Sequence, residues 1–229
     1  KPLEPLIIHL GVRRDSISDQ QNETSPSAGV RFTFPDTKTT LKAHYAEGFK
    51  PPSFFALGDP ISGNPNLLSE TSKSAEIGFE QGFWADRASF SAALFKTKYK
   101  NLIDFDFATF RLVNRNRVNA DGAELELKVL PLNKLSIALN YTFVDLKIEG
   151  SDINLRNRPK HRAGLSVNYS ILENLQLAVN AAYVGQAFDS SIPTGEVKLD
   201  SYTRVDVSLN YKWRSLSATF AIDNLLDKR

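Results

Sequence analysis

Residues 202–222 read YTRVDVSLNYKWRSLSATFAI, and the parity of this stretch decides the fold. Val205, Val207, Leu209, Tyr211 and Trp213 share one parity, while Arg204, Asp206, Ser208, Asn210 and Lys212 share the other. Arg214–Ser215 leaves room only for a tight reversal. Beyond it, Leu216, Ala218, Phe220 and Ile222 alternate with Ser217, Thr219, Ala221 and Asp223. Side chains of an extended chain point alternately to opposite faces, so each strip carries one apolar and one wet face. One such hairpin suits a soluble sandwich. Many in succession, joined alternately by short and long connections, suit the wall of an outer-membrane β-barrel.

Outward from this hairpin the pattern repeats. Leu175, Leu177, Val179, Ala181 and Tyr183 share a parity, as do Ala163, Leu165, Val167 and Tyr169, and Leu135, Ile137, Leu139, Tyr141 and Phe143. About eleven strands are predicted, near Leu6–Arg13, Ala28–Phe34, Thr39–Ala46, Ser74–Phe83, Ala88–Lys98, Arg117–Val129, Leu135–Asp145, His161–Ser170, Leu175–Val184, Tyr202–Lys212 and Leu216–Asp223. No stretch shows the 3.6-residue period of a helix. Short connections are expected at Pro35–Lys38, Trp84–Arg87, Leu130–Lys134, Leu172–Asn174 and Trp213–Ser215. Long ones are expected at Arg14–Pro26, Glu47–Lys73, Tyr99–Asn116, Leu146–Lys160 and Gly185–Ser201. Alternate connections of an antiparallel wall lie on the same side, so this segregation predicts short periplasmic turns and long extracellular loops. The expected fold is all-β: a segment of an antiparallel transmembrane β-barrel.

Composition agrees with that reading. The 229 residues are 41% hydrophobic with a mean hydropathy of −0.28. No run of 18 apolar residues exists, which excludes a membrane-spanning helix but not a barrel, whose lumen residues dilute the average. The absence of Cys removes disulfides and thiolate metal sites. A net charge of +2 provides no bulk field to draw nucleic acid, so none is expected as a partner. His9, His44 and His161 lack metal-ligand spacing, and no nucleophile-elbow motif occurs. Neither a cofactor nor a catalytic residue is predicted. The chain opens at Lys1 with no apolar signal and contains no Met, so it reads as a mature or excised piece.

Aromatic residues Tyr141, Phe143, Tyr169, Tyr183, Tyr202, Tyr211 and Trp213 fall toward strip ends, where an interfacial girdle would lie. Lys96, Lys98 and Lys100 share the outward parity of Phe90, Ala92 and Leu94. Either that strand has cleared the bilayer by Lys96, or a bulge switches its facing.

The segment 45–70, YAEGFKPPSFFALGDPISGNPNLLSE, carries a more specific signal. It resembles the paired boxes of TonB-dependent outer-membrane receptors: Gly48, Phe49, Lys50 and Pro52 match the first, and Gly63, Asn64, Pro65, Asn66, Leu67 and Glu70 the second. Asn114 with Gly122, Ala123 and Glu124, then Arg158, Pro159 and His161, resemble later family signatures in the same order. Val205, Asp206 and the closing Asp223, Asn224, Leu225, Leu226 and Asp227 resemble the last hairpin. The resemblance implies a barrel of about 22 strands with a plugged lumen. Residues 1–229 would be its C-terminal part, without the plug or the segment that contacts TonB. It further implies the bacterial outer membrane and active uptake of a ferric siderophore or a cobalamin-like ligand. The absence of His between Lys50 and Asn64 argues against haem.

Pro51, Pro52 and Pro65 cannot donate to a ladder, so the chain must leave the sheet after Phe49. The box loop is then a scaffold, with Glu70 tethering a neighbouring strand end; direct ligand contact by Phe49, Phe54 or Phe55 is the other reading. Two basic clusters stand on the long-loop side: Arg111, Arg115 and Arg117, and Arg156, Arg158, Lys160 and Arg162. Attraction of an anionic ligand, contact with lipopolysaccharide phosphates among the membrane lipids, and a plain solvated face all fit them. Two other functions compete with uptake. One is a small complete barrel acting as a rim enzyme such as a protease, and the other is a soluble β-rich binding module.

Overall fold

The computed structural model describes residues 5–16, 22–191 and 195–228. In chain order the strands are β1 (Leu6–Asp15), β2 (Glu23–Phe34), β3 (Thr39–Lys50), β4 (Glu70–Phe83), β5 (Ala88–Asp106), β6 (Arg111–Leu132), β7 (Leu135–Ile148), β8 (His161–Leu172), β9 (Leu175–Val184), β10 (Ala187–Ser191), β11 (Gly195–Leu199), β12 (Tyr202–Trp213) and β13 (Leu216–Ile222). Eleven of them form one up-and-down sheet, β1 through β9 followed by β12 and β13, with antiparallel neighbours. β10 and β11 make a separate hairpin. Apart from that inserted hairpin, sequence neighbours are sheet neighbours, as parity and alternating connections predict.

Register assembles the two faces. Leu127, Leu139, Leu165, Ala181 and Val205 are successive cross-strand partners on one face. One residue along, Glu126, Asn140, Gly164, Ala182 and Arg204 form the corresponding row on the other. A slip of one residue in any pairing would mix them. No second layer covers the apolar face: among the described residues the buried apolar side chains are only Ala56, Leu67, Ala88, Val118, Ala120 and Ala187. Ile77 and Leu94 are 60% and 58% exposed. A continuous apolar sheet face of this size is untenable in water and is matched by hydrocarbon. The soluble sandwich falls on this point, because Ile137, Leu165 and Val207 are half-buried rather than enclosed.

From Leu135 to Phe143 the outward apolar residues climb about 27 Å at 3.4 Å per residue, which fits an apolar band about 25 Å tall. Tyr141 and Tyr183 cap it toward the long loops on one outward row, and Tyr169 and Tyr211 cap it toward the short turns. Tyr202 does not join this girdle. It pairs with Val184, itself opposite Arg162, and so lies on the lumen face.

The short-turn side follows expectation, with two-residue turns at 133–134, 173–174 and 214–215. Lys38, Trp84, Ala85, Asp86 and Arg214 adopt positive φ there, the left-handed geometry that tight hairpins need. The long side departs from expectation in four places. Tyr99–Asn116 is not a loop: β5 and β6 continue as a paired hairpin to Asp106 and Arg111. Above the membrane both faces meet water, so that hairpin has no apolar parity to betray it. Residues 185–201 contain the β10–β11 hairpin for the same reason. A five-residue helix, α1 (Phe54–Gly58), interrupts the box loop, with Ser53 Oγ accepting from Ala56 N at 3.1 Å. It is too short to show a period. The predicted Arg14–Pro26 loop shrinks to Ser16–Asn22 and lies partly outside the described residues. β5 keeps one register from Ala88 to Lys100, so Lys96 stays outward and the strand has left the bilayer there.

Candidate functional site

The family boxes form a buttress between the β3–β4 connection and the tall β5–β6 hairpin. β3 ends at Lys50, Pro52 is buried, and α1 turns the chain back. Asp59 then accepts hydrogen bonds from Ser62 N and Ser62 Oγ, each at 2.7 Å, and from Ile61 N at 3.2 Å. These bonds, first the Ser62 backbone N–H and then its hydroxyl, hold the Asp59 carboxyl below the usual carboxylate range. Its support for the turn is therefore present above the ordinary carboxylate pKa and is lost as pH falls through the depressed value. Gly63 donates to Asp59 O at 2.9 Å, and a Cβ there would stand 2.5 Å from the Asp59 backbone N and O. Only glycine fits.

Asn64 ties the turn both ways: its N donates to Ala56 O at 2.8 Å and its Nδ2 to Leu112 O at 3.0 Å. Asn66 N donates to Asn64 Oδ1 at 3.0 Å, while Leu67 is buried and Pro65 exposed. Asn114 completes the clamp. It accepts from Leu68 N at 2.8 Å and donates to Leu68 O and Asn101 O at 3.0 and 2.7 Å. Glu70 accepts from Ile103 N at 2.7 Å and pairs with Lys50 at 3.0 Å. Phe54 and Phe55 stand 95% and 65% exposed above this frame. Asn114→Ala strands the Leu68 and Asn101 groups together. It is expected to raise hydrogen exchange across residues 62–70 by about 10- to 100-fold, matching roughly 1.5–3 kcal/mol. Unchanged exchange would show that the clamp carries no load.

The five arginines singled out from sequence do not converge. Arg115 is an internal brace, half-buried against Asp104 at 3.2 Å and Asp106 at 3.6 Å. Arg156 stacks over Phe107 and Phe105, 4.7 and 5.7 Å from the ring centres. Arg117 faces outward, paired with Glu149 at 3.3 Å. Arg111 is exposed at the start of β6, opposite Asp106. Of the five, only Arg158 lines the cleft on the lumen face.

That cleft, about 390 Å³, opens at the long-loop end of the lumen face. Phe95, Tyr99, Leu102 and Leu146 supply its apolar lining, and Arg158, Lys160 and Arg162 its positive side. Lys160 is held by Asp145 at 2.6 Å, whereas no carboxylate lies within 4.0 Å of Arg158 or Arg162 among the described residues. Sequence reasoning overlooked Phe95, Tyr99 and Leu102. The signal was present for the first two, since both take the wet parity of β5 despite being aromatic. Phe95 lies over Gly122, its cross-strand partner. A Cβ at Gly122 would stand 2.2 Å from the ring and 2.6 Å from Phe143 O. Deeper in the lumen, Glu80 pairs with Lys42 and Glu126 with Lys128. At the end of the chain, Leu225 N donates to Val205 O and Asn224 N to Asp206 Oδ1, both at 2.8 Å, which folds the closing motif onto β12.

Comparison with known proteins agrees with this architecture. The family model for TonB dependent receptor-like β-barrels matches residues 1–225. The vitamin B12 transporter BtuB of Photobacterium profundum is 31% identical over 195 residues, covering 82% of this chain and 31% of the relative. BtuB of Vibrio cholerae is 28% identical over 229 residues, covering 97% and 36%. The crystal structure of the siderophore receptor PirA from Acinetobacter baumannii superposes with a TM-score of 0.80 at 20% identity, covering all of this chain and 40% of that one. The chain thus spans about a third of the length of these curated relatives. Their names describe transporters and receptors, not enzymes. A one-layer antiparallel wall, boxes that brace the outer loops, and a family match across residues 1–225 lead to one conclusion: the chain belongs to the TonB-dependent receptor-like β-barrel family of the outer membrane.

Proposed function

We propose that residues 1–229 form the C-terminal part of the barrel of a receptor that takes up a ferric siderophore or a cobalamin-like ligand. In this reading a plug fills the lumen in the longer protein, and TonB drives its movement. The observation that carries the reading is the lumen-side cleft, where Arg158 and Arg162 stand beside Phe95 and Tyr99 with no carboxylate partner among the described residues. Unpaired guanidinium groups over an apolar floor suit a large anionic solute with flat apolar parts. Ferric siderophores carrying net negative charge match that chemistry better than cobalamin. No covalent step is involved, so the site acts by selective binding alone. The buttress of Asn64, Asn114 and Glu70 holds the loops in place above the cleft.

The full-length receptor tests this directly. Arg158→Ala and Arg162→Ala are each expected to weaken ferric siderophore binding about 10- to 100-fold, since a charge-assisted hydrogen bond contributes roughly 1.5–3 kcal/mol. Uptake should vanish without TonB while binding persists. Unimpaired growth of a deletion strain on every ferric siderophore and on cobalamin would refute the proposal.

A further inference from the structure

We propose that the outer face of β4–β7, just above the apolar band, binds the phosphorylated headgroup of an outer-leaflet lipid. Register places the site. Ile77, Leu94, Ala123 and Phe143 are cross-strand partners in the last apolar outward row. Two residues higher, Lys96 pairs with Asp121; two more, Lys73, Lys98, Asn119 and Lys147 form one row; two more, Lys100 pairs with Arg117. No register shift separates Leu94 from Lys100, so these cations stand on the lipid-facing side, about 7–20 Å above the last apolar row at 3.4 Å per residue. They line a cleft of about 510 Å³.

Charge within the cleft is incompletely matched. Lys73 meets Glu47 at 2.9 Å, Lys96 meets Asp121 at 3.0 Å, Lys147 meets Asp145 at 2.9 Å, and Arg117 meets Glu149 at 3.3 Å. Lys98 and Lys100 have no carboxylate within 4.0 Å among the described residues, and Lys98 stands directly opposite Lys73. Like charges opposed on neighbouring strands destabilise a sheet. A phosphate ester seated between Lys73, Lys98 and Lys100 removes that repulsion, and its acyl chains continue down over Leu94 and Phe143. Exposed ion pairs are weak, so the surrounding carboxylates compete little with a dianionic phosphate. The occupant is a lipid because the cleft adjoins the hydrocarbon band and opens away from the lumen. Of the five arginines read from the sequence as candidates for this contact, only Arg117 takes part.

The test uses the full-length receptor in detergent, titrated with diphosphorylated lipid A and with the same glycolipid stripped of phosphate. Lys98→Gln with Lys100→Gln is expected to weaken binding of the phosphorylated form at least tenfold and to leave the dephosphorylated form unaffected. Glu47→Gln, which frees Lys73, is expected to tighten the phosphorylated form. Both lysines are exposed, so thermal unfolding should be unchanged, which separates lost binding from misfolding. Equal binding of phosphorylated lipid A to wild type and the lysine variant overturns the proposal. So does inorganic phosphate that competes at equal concentration, since it would mark a site for free anions.

Discussion

Leu165→Arg is expected to destabilise the lipid-embedded full-length receptor by about 2–4 kcal/mol, the penalty for arginine on the lipid face near the bilayer midplane. Leu165 sits in the middle of five outward rows, flanked by Leu139 and Ala181. Its guanidinium could reach neither the lumen nor an interface without distorting the wall. Asn168→Arg on the same strand is the matched control. Asn168 pairs with Ser136 and Ala178 on the lumen face and is exposed, so its substitution should stay within about 0.5 kcal/mol. Denaturant unfolding from vesicles reads both changes as midpoint shifts at constant slope. Were Asn168→Arg the costly change and Leu165→Arg the mild one, the faces would be inverted.

The second large effect is steric. Gly122→Val is expected to cost at least about 3 kcal/mol, at the upper end of the overpacking range. Any Cβ there meets the Phe95 ring and the Phe143 carbonyl oxygen at 2.2 and 2.6 Å. The ring can swing away, but the carbonyl belongs to the β6–β7 ladder and cannot. Phe95→Ala in the same chain should therefore recover only part of the loss, a coupling that a double-mutant cycle isolates. Because Phe95 also lines the lumen cleft, Gly122→Ala should weaken ligand binding even where the barrel still assembles. Full recovery of stability by Phe95→Ala would show that the carbonyl contact is not limiting.

Parity served well wherever the two faces of a strand meet different media. Ile137, Leu139 and Val207 announced their strands because hydrocarbon selects them on every second position. The same logic failed above the membrane, where Asp104, Asp106, Arg111 and Arg115 continue a paired hairpin with water on both sides. It also misplaced Tyr202, because an aromatic near a strand end reads alike on either face until the Val184 pairing assigns it to the lumen. The box residues were legible as turn-formers from Pro52, Gly63 and Asn64. Their partners were not, since Leu112, Asn114 and Ile103 are more than thirty positions away in the chain.

By itself the sequence determined the eleven strands of the wall, their order of pairing and which parity of each strand faces lipid. Each of these follows from a period of two repeated along a chain whose neighbours in sequence are neighbours in the sheet. Tertiary structure alone decided which arginines work as braces, which reach the lumen cleft, and where lysines on adjacent strands are forced into opposition. Such groupings depend on register between segments that are distant along the chain. Charge carries no periodic signature of where its partner lies.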